Sequence, residues 1–219
     1  MILFILTFSM SSISAQGRSY IRQCISAWGS CRNVAITRTN GDLALNNLNA
    51  CAMSGLPSGL KTALDKLNDE GEYIDDVVLT ENGRYLILYG KNGIIWNDIP
   101  YSLEKKLREY NDIDEIILSV TFNDAGNWVV ITTNYYASSD TEIQKWLKDG
   151  NDEFGMLWSV CITDDAIVAV FAHGYKSIGN IPADLSKALK DTHIDVFRLK
   201  IAGSAWFFAD NAGHYEYNM

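Results

Sequence analysis

Apolar and polar residues alternate in short stretches that recur along the chain. In each stretch an apolar residue stands at roughly every second position, as is typical of a β-strand with one buried face. These stretches begin at Val34, Val77, Val120, Val160 and Val196. A turn follows each stretch, and then a second, almost continuously apolar run, such as Tyr85–Tyr89. A run of this kind predicts a central strand that is buried on both faces.

The three prolines of the chain each begin the same short phrase. In each phrase leucines stand three and seven positions after the proline, so that both leucines lie on one side of a helix. Proline is favoured at the first helical position because the N–H that it lacks has no helical partner there. The phrase therefore predicts three short amphipathic helices, beginning at Pro57, Pro100 and Pro182. A fourth phrase, beginning at Thr141, has the same pattern without the proline.

These strands and helices define a repeat of about 42 residues, a period that indicates a solenoid, a propeller or an array. Each unit has three strands followed by a helix, and the last unit ends before its helix. Such a unit cannot bury its own faces, so neighbouring units must pack together into a single domain, predicted over 16–219. The predicted units are approximately 31–67, 76–110, 119–149, 159–191 and 195–219.

Glycine followed two positions later by an aromatic residue begins the second strand of two units, at Gly83-x-Tyr85 and Gly126-x-Trp128. Three-stranded antiparallel units of this length and pattern resemble the blades of β-propellers. The G-H and W-D sequences typical of WD40 repeats are absent, so the resemblance concerns architecture alone. We expect a mostly β fold with short helices, in which five βββα units form a propeller-like ring. Residues 17–30 can supply the helix missing from the fifth unit; the alternative is an open α/β solenoid.

The first fifteen residues have the pattern of a secretory signal peptide. Residues 1–10 are almost entirely apolar, 11–15 are small and mostly polar, and the first charged residue is Arg18. We predict cleavage near Ala15–Gln16, and the alternative is a buried first strand. No later apolar run is long enough to cross a bilayer. The mature chain is therefore expected to have no membrane span and to be secreted or periplasmic.

Composition narrows the classes of function. The chain has 219 residues, 47% of them hydrophobic, and its net charge is −9. This charge disfavours binding to nucleic-acid phosphates, so we expect no nucleic-acid partner. In an exported protein a disulfide among Cys24, Cys31 and Cys51 is plausible, whereas Cys161 falls on a predicted core strand. Because no C-x-x-C, H-E-x-x-H or G-x-S-x-G sequence is present, we predict no catalytic residue, metal or cofactor.

The turns between the second and third strands of the units are rich in tyrosine, histidine and asparagine. Equivalent turns lie on one face of a ring of antiparallel units, where aromatic side chains can contact a ligand. Asparagine and glycine also form turns without any function, which is the alternative explanation. The candidate residues for binding a protein or glycan are Asn92, Tyr135, Tyr136, His173, Tyr175, Asn211 and His214.

Two functions of different classes fit these features. The first is a non-catalytic extracytoplasmic binding module, favoured by the repeats and by the absence of a catalytic motif. The second is a secreted carbohydrate hydrolase, which needs two carboxylates roughly 5–10 Å apart in one cleft. Its candidate acids are Asp124, Asp164, Asp165 and Asp210. A structure separates the two ideas by showing which acids come together.

Overall fold

The computed structural model describes residues 10–39, 41–47 and 50–219. Its elements follow the order of the predicted repeat, with one helix ahead of five three-stranded units. The helices are α1 (Met10–Trp28), α2 (Ser58–Asp69), α3 (Tyr101–Asp112), α4 (Thr141–Phe154) and α5 (Ala183–Asp191). The strands of units 1 to 3 are β1 (Asn33–Ile36), β2 (Asp42–Asn46), β3 (Ala50–Ser54), β4 (Ile74–Leu79), β5 (Tyr85–Tyr89), β6 (Gly93–Asn97), β7 (Ile117–Phe122), β8 (Trp128–Thr132) and β9 (Tyr136–Ser138). Those of units 4 and 5 are β10 (Leu157–Ile162), β11 (Ala166–Phe171), β12 (Gly174–Gly179), β13 (Arg198–Ala202), β14 (Ala205–Ala209) and β15 (Tyr215–Tyr217).

The three prolines have almost the same backbone conformation, which confirms that their phrases are equivalent. Pro57, Pro100 and Pro182 have φ between −51° and −55° and ψ between 132° and 137°. Each is the N-cap, one position earlier than the sequence predicts. In unit 4 Asp140 takes this place, and its carboxylate accepts hydrogen bonds from the backbone N–H groups of Glu142 and Ile143. The aspartate satisfies two N–H groups at the helix start, which explains how this unit dispenses with proline.

Each unit forms its own three-stranded antiparallel sheet, with the predicted second strand in the middle. The middle strands β2, β8 and β14 are buried along their whole length, as their apolar sequences predict. In units 2 and 3 the turn into the middle strand contains Gly83 and Gly126, with φ of 80° and 91°. Glycine adopts this left-handed conformation without the steric strain that a side chain would add.

The first strands of the five units contact one another in a closed cycle. β1 contacts β4, β4 contacts β7, β7 contacts β10, β10 contacts β13, and β13 contacts β1. Apolar clusters fill the spaces between neighbouring sheets. In an open solenoid the first and last units would not touch, so the contact between β13 and β1 rules out that alternative.

Helix α1 packs where the fifth unit meets the first. Ile21 and Ile25 are fully buried in one cluster with Val34 of β1 and with Phe207 and Ala209 of β14. The segment 17–30 thus provides the helix expected to join the two ends of the chain. The residue range of α1 includes the predicted cleavage site at Ala15–Gln16. Residues 1–9 lie outside the described residues, so the signal peptide stays a prediction. Within the described part of the chain, no helix combines the length and apolarity needed to cross a bilayer.

A buried ionic cluster links units 1, 2 and 5. Asp76 of β4 is fully buried, and its Oδ1 accepts hydrogen bonds of 2.7 Å from both Lys200 Nζ and Asn33 Nδ2. Asp75 pairs with Arg198 at 3.1 Å. Burial opposes the ionisation of Asp76, but Lys200 and Arg198 together hold its pKa below the usual value. Arg198 and Lys200 of β13 therefore contact β4 directly, so the ionic cluster links the fifth unit to the second.

The disulfide expected among the first three cysteines is absent, and all four cysteines are free. Cys24 and Cys31 belong to the cluster beneath α1, whereas Cys51 packs against the core between units 1 and 2. Cys161 is buried in the core between units 4 and 5, as predicted. Burial raises the pKa of Cys31 and Cys51 to about 12 and that of Cys161 to about 11. These three thiols therefore stay protonated at neutral pH.

Candidate functional site

The turns of the five units lie on two opposite faces. One pocket is lined by residues from the ends of all five first strands, among them Ile36, Leu79, Phe122, Ile162 and Ile201. The first strands therefore all end at the same side, which we call the first-turn face. Because the strands are antiparallel, the turns between second and third strands lie on the opposite side. We call that side the second-turn face, and all seven predicted ligand residues lie there, in the turns or at the start of the third strands.

On the second-turn face, unit 4 contributes His173 and Tyr175 to a groove of about 730 Å³. The groove runs between the turn after β11 and the segment from α5 to β13, which adds His193 and Asp195. Its volume lies within the range of about 300–1,000 Å³ that is typical of ligand sites. His193 is 20 positions from His173 in the sequence, and the fold brings both histidines to the same groove.

Trp158 lines this groove because β10 contains a bulge. Leu157 pairs with Phe171 and Ser159 with Val170, so Trp158 has no partner across the sheet. A bulge of this kind redirects a side chain and is frequent next to functional sites. The Trp158 ring packs on the Phe197 ring with centroids 5.0 Å apart. Its indole Nε1 is buried without a hydrogen-bond partner in the described structure.

Tyr175 is held in place by unit 4's own helix. Its hydroxyl lies 2.5 Å from the Ser186 hydroxyl on α5, and its ring packs partly buried against the core. The side chains of His173 and His193 are exposed. The neighbouring Thr192 hydroxyl donates a hydrogen bond to the Glu216 carboxylate. The groove thus combines fixed aromatic surfaces with exposed histidines, an arrangement suited to binding a ligand that has apolar and polar parts.

The other predicted ligand residues are distributed around the same face. The side-chain amide of Asn92 forms hydrogen bonds within the protein. Its Nδ2 donates to the carbonyl of Glu115 at 2.9 Å, and its Oδ1 accepts from the Ile117 N–H at 3.1 Å. These bonds join the turn of unit 2 to the first strand of unit 3. Tyr135 is exposed and the neighbouring Tyr136 is half-buried beside the core of units 3 and 4.

In the last unit His214 forms a short contact with its own turn. Its Nδ1 lies 2.6 Å from Asp210 Oδ2, and the other Asp210 oxygen accepts from the backbone N–H groups of Ala212 and His214. Asn211 lines a small pocket with Asp210 and Arg32. The structure therefore brings only His173 and Tyr175 of the seven predicted residues into the large groove, and none of the others lines it.

Exposed apolar side chains are concentrated on the second-turn face. Of nine large exposed apolar residues in the described part of the chain, six lie in turns, in segments that lead into first strands, or at the start of a first strand. Three of these segments are bonded to the turns between second and third strands: the carbonyls of Tyr73, Ile116 and Met156 each accept a hydrogen bond from a backbone N–H of such a turn. Concentrated apolar surface is typical of an interaction face. The six residues are Tyr73, Ile113, Ile116, Leu118, Tyr135 and Met156.

The first-turn face brings together three of the four acids named for a hydrolase. Asp124, Asp164 and Asp165 line the pocket formed by the five strand ends, together with Glu81 and Arg38. Partial burial and the nearby Asp124 carboxylate raise the pKa of Asp164. The pocket's volume is only about 60 Å³, far below the range of ligand sites. Acids therefore do meet here, but in a space of a few water molecules.

Two of the acids that line this pocket, Asp124 and Glu81, accept hydrogen bonds from neighbouring turns. Asp124 accepts hydrogen bonds from the Thr80 hydroxyl at 2.7 Å and from Asn82 N–H at 3.0 Å. Glu81 likewise accepts from the backbone N–H of Arg38 at 2.9 and 3.0 Å. In both cases the acid of one unit binds the turn of the preceding unit. The fourth candidate, Asp210, lies on the second-turn face, away from the other three.

The chain matches no protein-family model, no curated protein and no solved structure. In the described residues no group of three or more His, Cys, Asp or Glu side chains is placed to hold a metal ion.

Proposed function

We propose that this protein is a non-catalytic binding module whose groove on the second-turn face takes a segment of a partner polypeptide. The observation that carries the proposal is the 730 Å³ groove, which Trp158 and Tyr175 line together with the exposed His173 and His193. Tryptophan and tyrosine supply much of the energy at protein interfaces, and both line this groove.

The surroundings of the groove favour a polypeptide over a glycan. Met156 is 64% exposed, and its carbonyl bonds to the turn that carries His173. Further aliphatic side chains, Ile116 and Leu118, are exposed on the same face. Isoleucine, leucine and methionine contribute contact area to protein partners, whereas the faces of sugar rings stack on aromatic rings. A glycan is therefore the alternative outcome of the test.

We further infer that the five units form a propeller-like ring, in which one face serves for binding. The closed cycle of contacts among first strands and the shared pocket at their ends support this architecture. An export signal at residues 1–15 would place the module outside the cytoplasm. The hydrolase alternative has support only from the converging acids, and the small volume between them weighs against it.

The test is a parallel selection against a displayed peptide library and a glycan array. We expect peptide ligands, with affinity reduced about tenfold or more in the double variant His173→Ala/His193→Ala, since loss of central contacts commonly costs more than 1 kcal/mol. Tyr101→Ala is the matched control, because Tyr101 is 80% exposed on α3 and outside the groove. Binding of glycans alone would contradict the peptide proposal, and equal peptide affinity in the double variant would exclude the groove. Release of sugar by the protein would favour the hydrolase.

A further inference from the structure

A second groove, of about 470 Å³, lies where α1 meets the hairpin between β13 and β14. Arg18 and Arg22 of α1 line it from one side and Arg38 from another. Ser204, at the tip of the hairpin, adds a hydroxyl to the wall. Three arginines in one groove stand out in a chain with a net charge of −9. We call this the arginine groove.

The ion pairs around the groove leave one guanidinium uncompensated. Arg18 is paired with the buried carboxylate of Asp42, with Nη2 at 2.7 Å from Oδ1, and it also bonds the carbonyl of Thr37. Arg38 pairs with Glu81 at 3.3 Å. Arg22 is exposed and has no hydrogen bond or ion pair with any described residue. Two arginines are thus held in position by acids, and the third retains its full charge toward the groove.

From this arrangement we propose that the arginine groove binds a phosphate or sulfate group carried by a small ligand. A guanidinium presents paired N–H donors that match the oxygens of such anions, and it stays charged at every physiological pH. Arg22 supplies the free charge, and the hydroxyl of Ser204 can donate an additional hydrogen bond. The volume exceeds that of a lone anion, which indicates a larger molecule carrying the anionic group.

The neighbouring pocket limits the charge of this ligand. Arg38, Ala202 and Gly203 line both the arginine groove and the pocket that contains Asp124 and Asp164. A polyanion extending from the arginine groove would meet these carboxylates, and like charges at close range oppose binding. The site therefore selects a single anionic group over a nucleic acid or a long sulfated chain. This proposal concerns the first-turn face and is independent of the groove that carries the proposed function.

The test is an NMR titration of arginine side-chain N–H signals with inorganic phosphate, sulfate and acetate at constant ionic strength. We expect saturable shifts with phosphate or sulfate, and an affinity about tenfold lower in Arg22→Gln, because one charge-assisted contact is lost. Lys145→Gln is the matched control: Lys145 is exposed on α4 and has no partner among the described residues. The comparison of phosphate with sulfate identifies the preferred anion.

Three results would overturn the proposal. Shifts that never saturate would show only non-specific ion binding. Equal affinity in Arg22→Gln and the unaltered chain would remove Arg22 from the site. Stronger binding of acetate than of either tetrahedral anion would assign the groove to carboxylates. Because Arg22 has no partner in the described structure, its replacement leaves the fold intact, and circular dichroism of Arg22→Gln verifies this directly.

Discussion

Replacing Lys200 by methionine tests the ionic cluster that joins the last unit to the second. Methionine keeps much of the side chain's length but removes the charge that pairs with Asp76. Asp76 is fully buried, its Oδ2 has no hydrogen-bond partner among the described residues, and the Lys200 side chain is only 15% exposed. Removing one partner of a buried pair leaves an uncompensated charge and lowers stability by about 3–5 kcal/mol. We expect a loss of this size in the free energy of unfolding, measured by urea denaturation at pH 7.

The matched control is Lys61→Met. Lys61 pairs with Asp65 at 2.5 Å, but both side chains are about half exposed. Exposed pairs of this kind contribute less than about 1 kcal/mol, so this variant should unfold at nearly the same urea concentration as the original chain. Adding Asp76→Asn to Lys200→Met should recover part of the lost stability, because the buried charge is then gone.

The pH dependence gives a second check on the same pair. Lys200 and Arg198 hold the pKa of Asp76 below its usual value despite burial. Since the folded-state pKa is lowered, the contribution to stability is present above the unfolded-state value near 4 and is lost as pH falls through the folded-state pKa. The effect of Lys200→Met should therefore be largest near neutral pH and smaller below about pH 4. A loss under about 1 kcal/mol at pH 7, or one that does not depend on pH, would refute this reasoning.

Two further predictions concern α1 and the thiols. Ile25→Ala should lower stability by about 2–5 kcal/mol, because Ile25 is fully buried between the first and fifth units. Ile113→Ala, at a 64% exposed position, should change it by less than about 0.5 kcal/mol; similar losses in both would show that α1 does not pack there. Cys31 and Cys161 should resist iodoacetamide at pH 8 in the folded protein and react after unfolding in urea, because burial raises their pKa to about 12 and 11. Mass spectrometry of labelled peptides measures this, and rapid labelling of either residue in the folded chain would contradict the assigned burial.

The repeat and its elements follow from the sequence because their signals are local. The phrases at Pro57, Pro100 and Pro182 fix three helices, and the alternation before them fixes the strands. Even the unit without proline is predictable, since Asp140 and Thr141 are typical of a helix start. These features depend on neighbours a few residues away, which a single sequence contains.

The grooves were not predictable, because they depend on contacts between units. Trp158 reaches its groove through a bulge that alternation alone does not reveal, and His193 is 20 positions from its neighbour in the groove, His173. Arg22 and Arg38 share a groove only because α1 packs against both the first and last units. The packing of the cysteines also depends on such contacts: Cys24 and Cys31 share the cluster beneath α1, whereas Cys51 packs against the core between units 1 and 2.

The measurement that tests the cyclic packing most directly is the distance between the first and last units. Spin labels attached to keto amino acids introduced at Thr39 and Ser204, both exposed, would report it without involving the native cysteines. A Cβ placed on Gly203 would lie 3.3 Å from Arg38 Cδ, so the two first turns are adjacent. Cyclic packing predicts one short distance, under about 20 Å including the label arms, whereas four sheet-to-sheet steps of about 10 Å in an open stack give about 40 Å. A distance of about 40 Å between the two labels, measured by double electron–electron resonance, would contradict the closed arrangement of the five units.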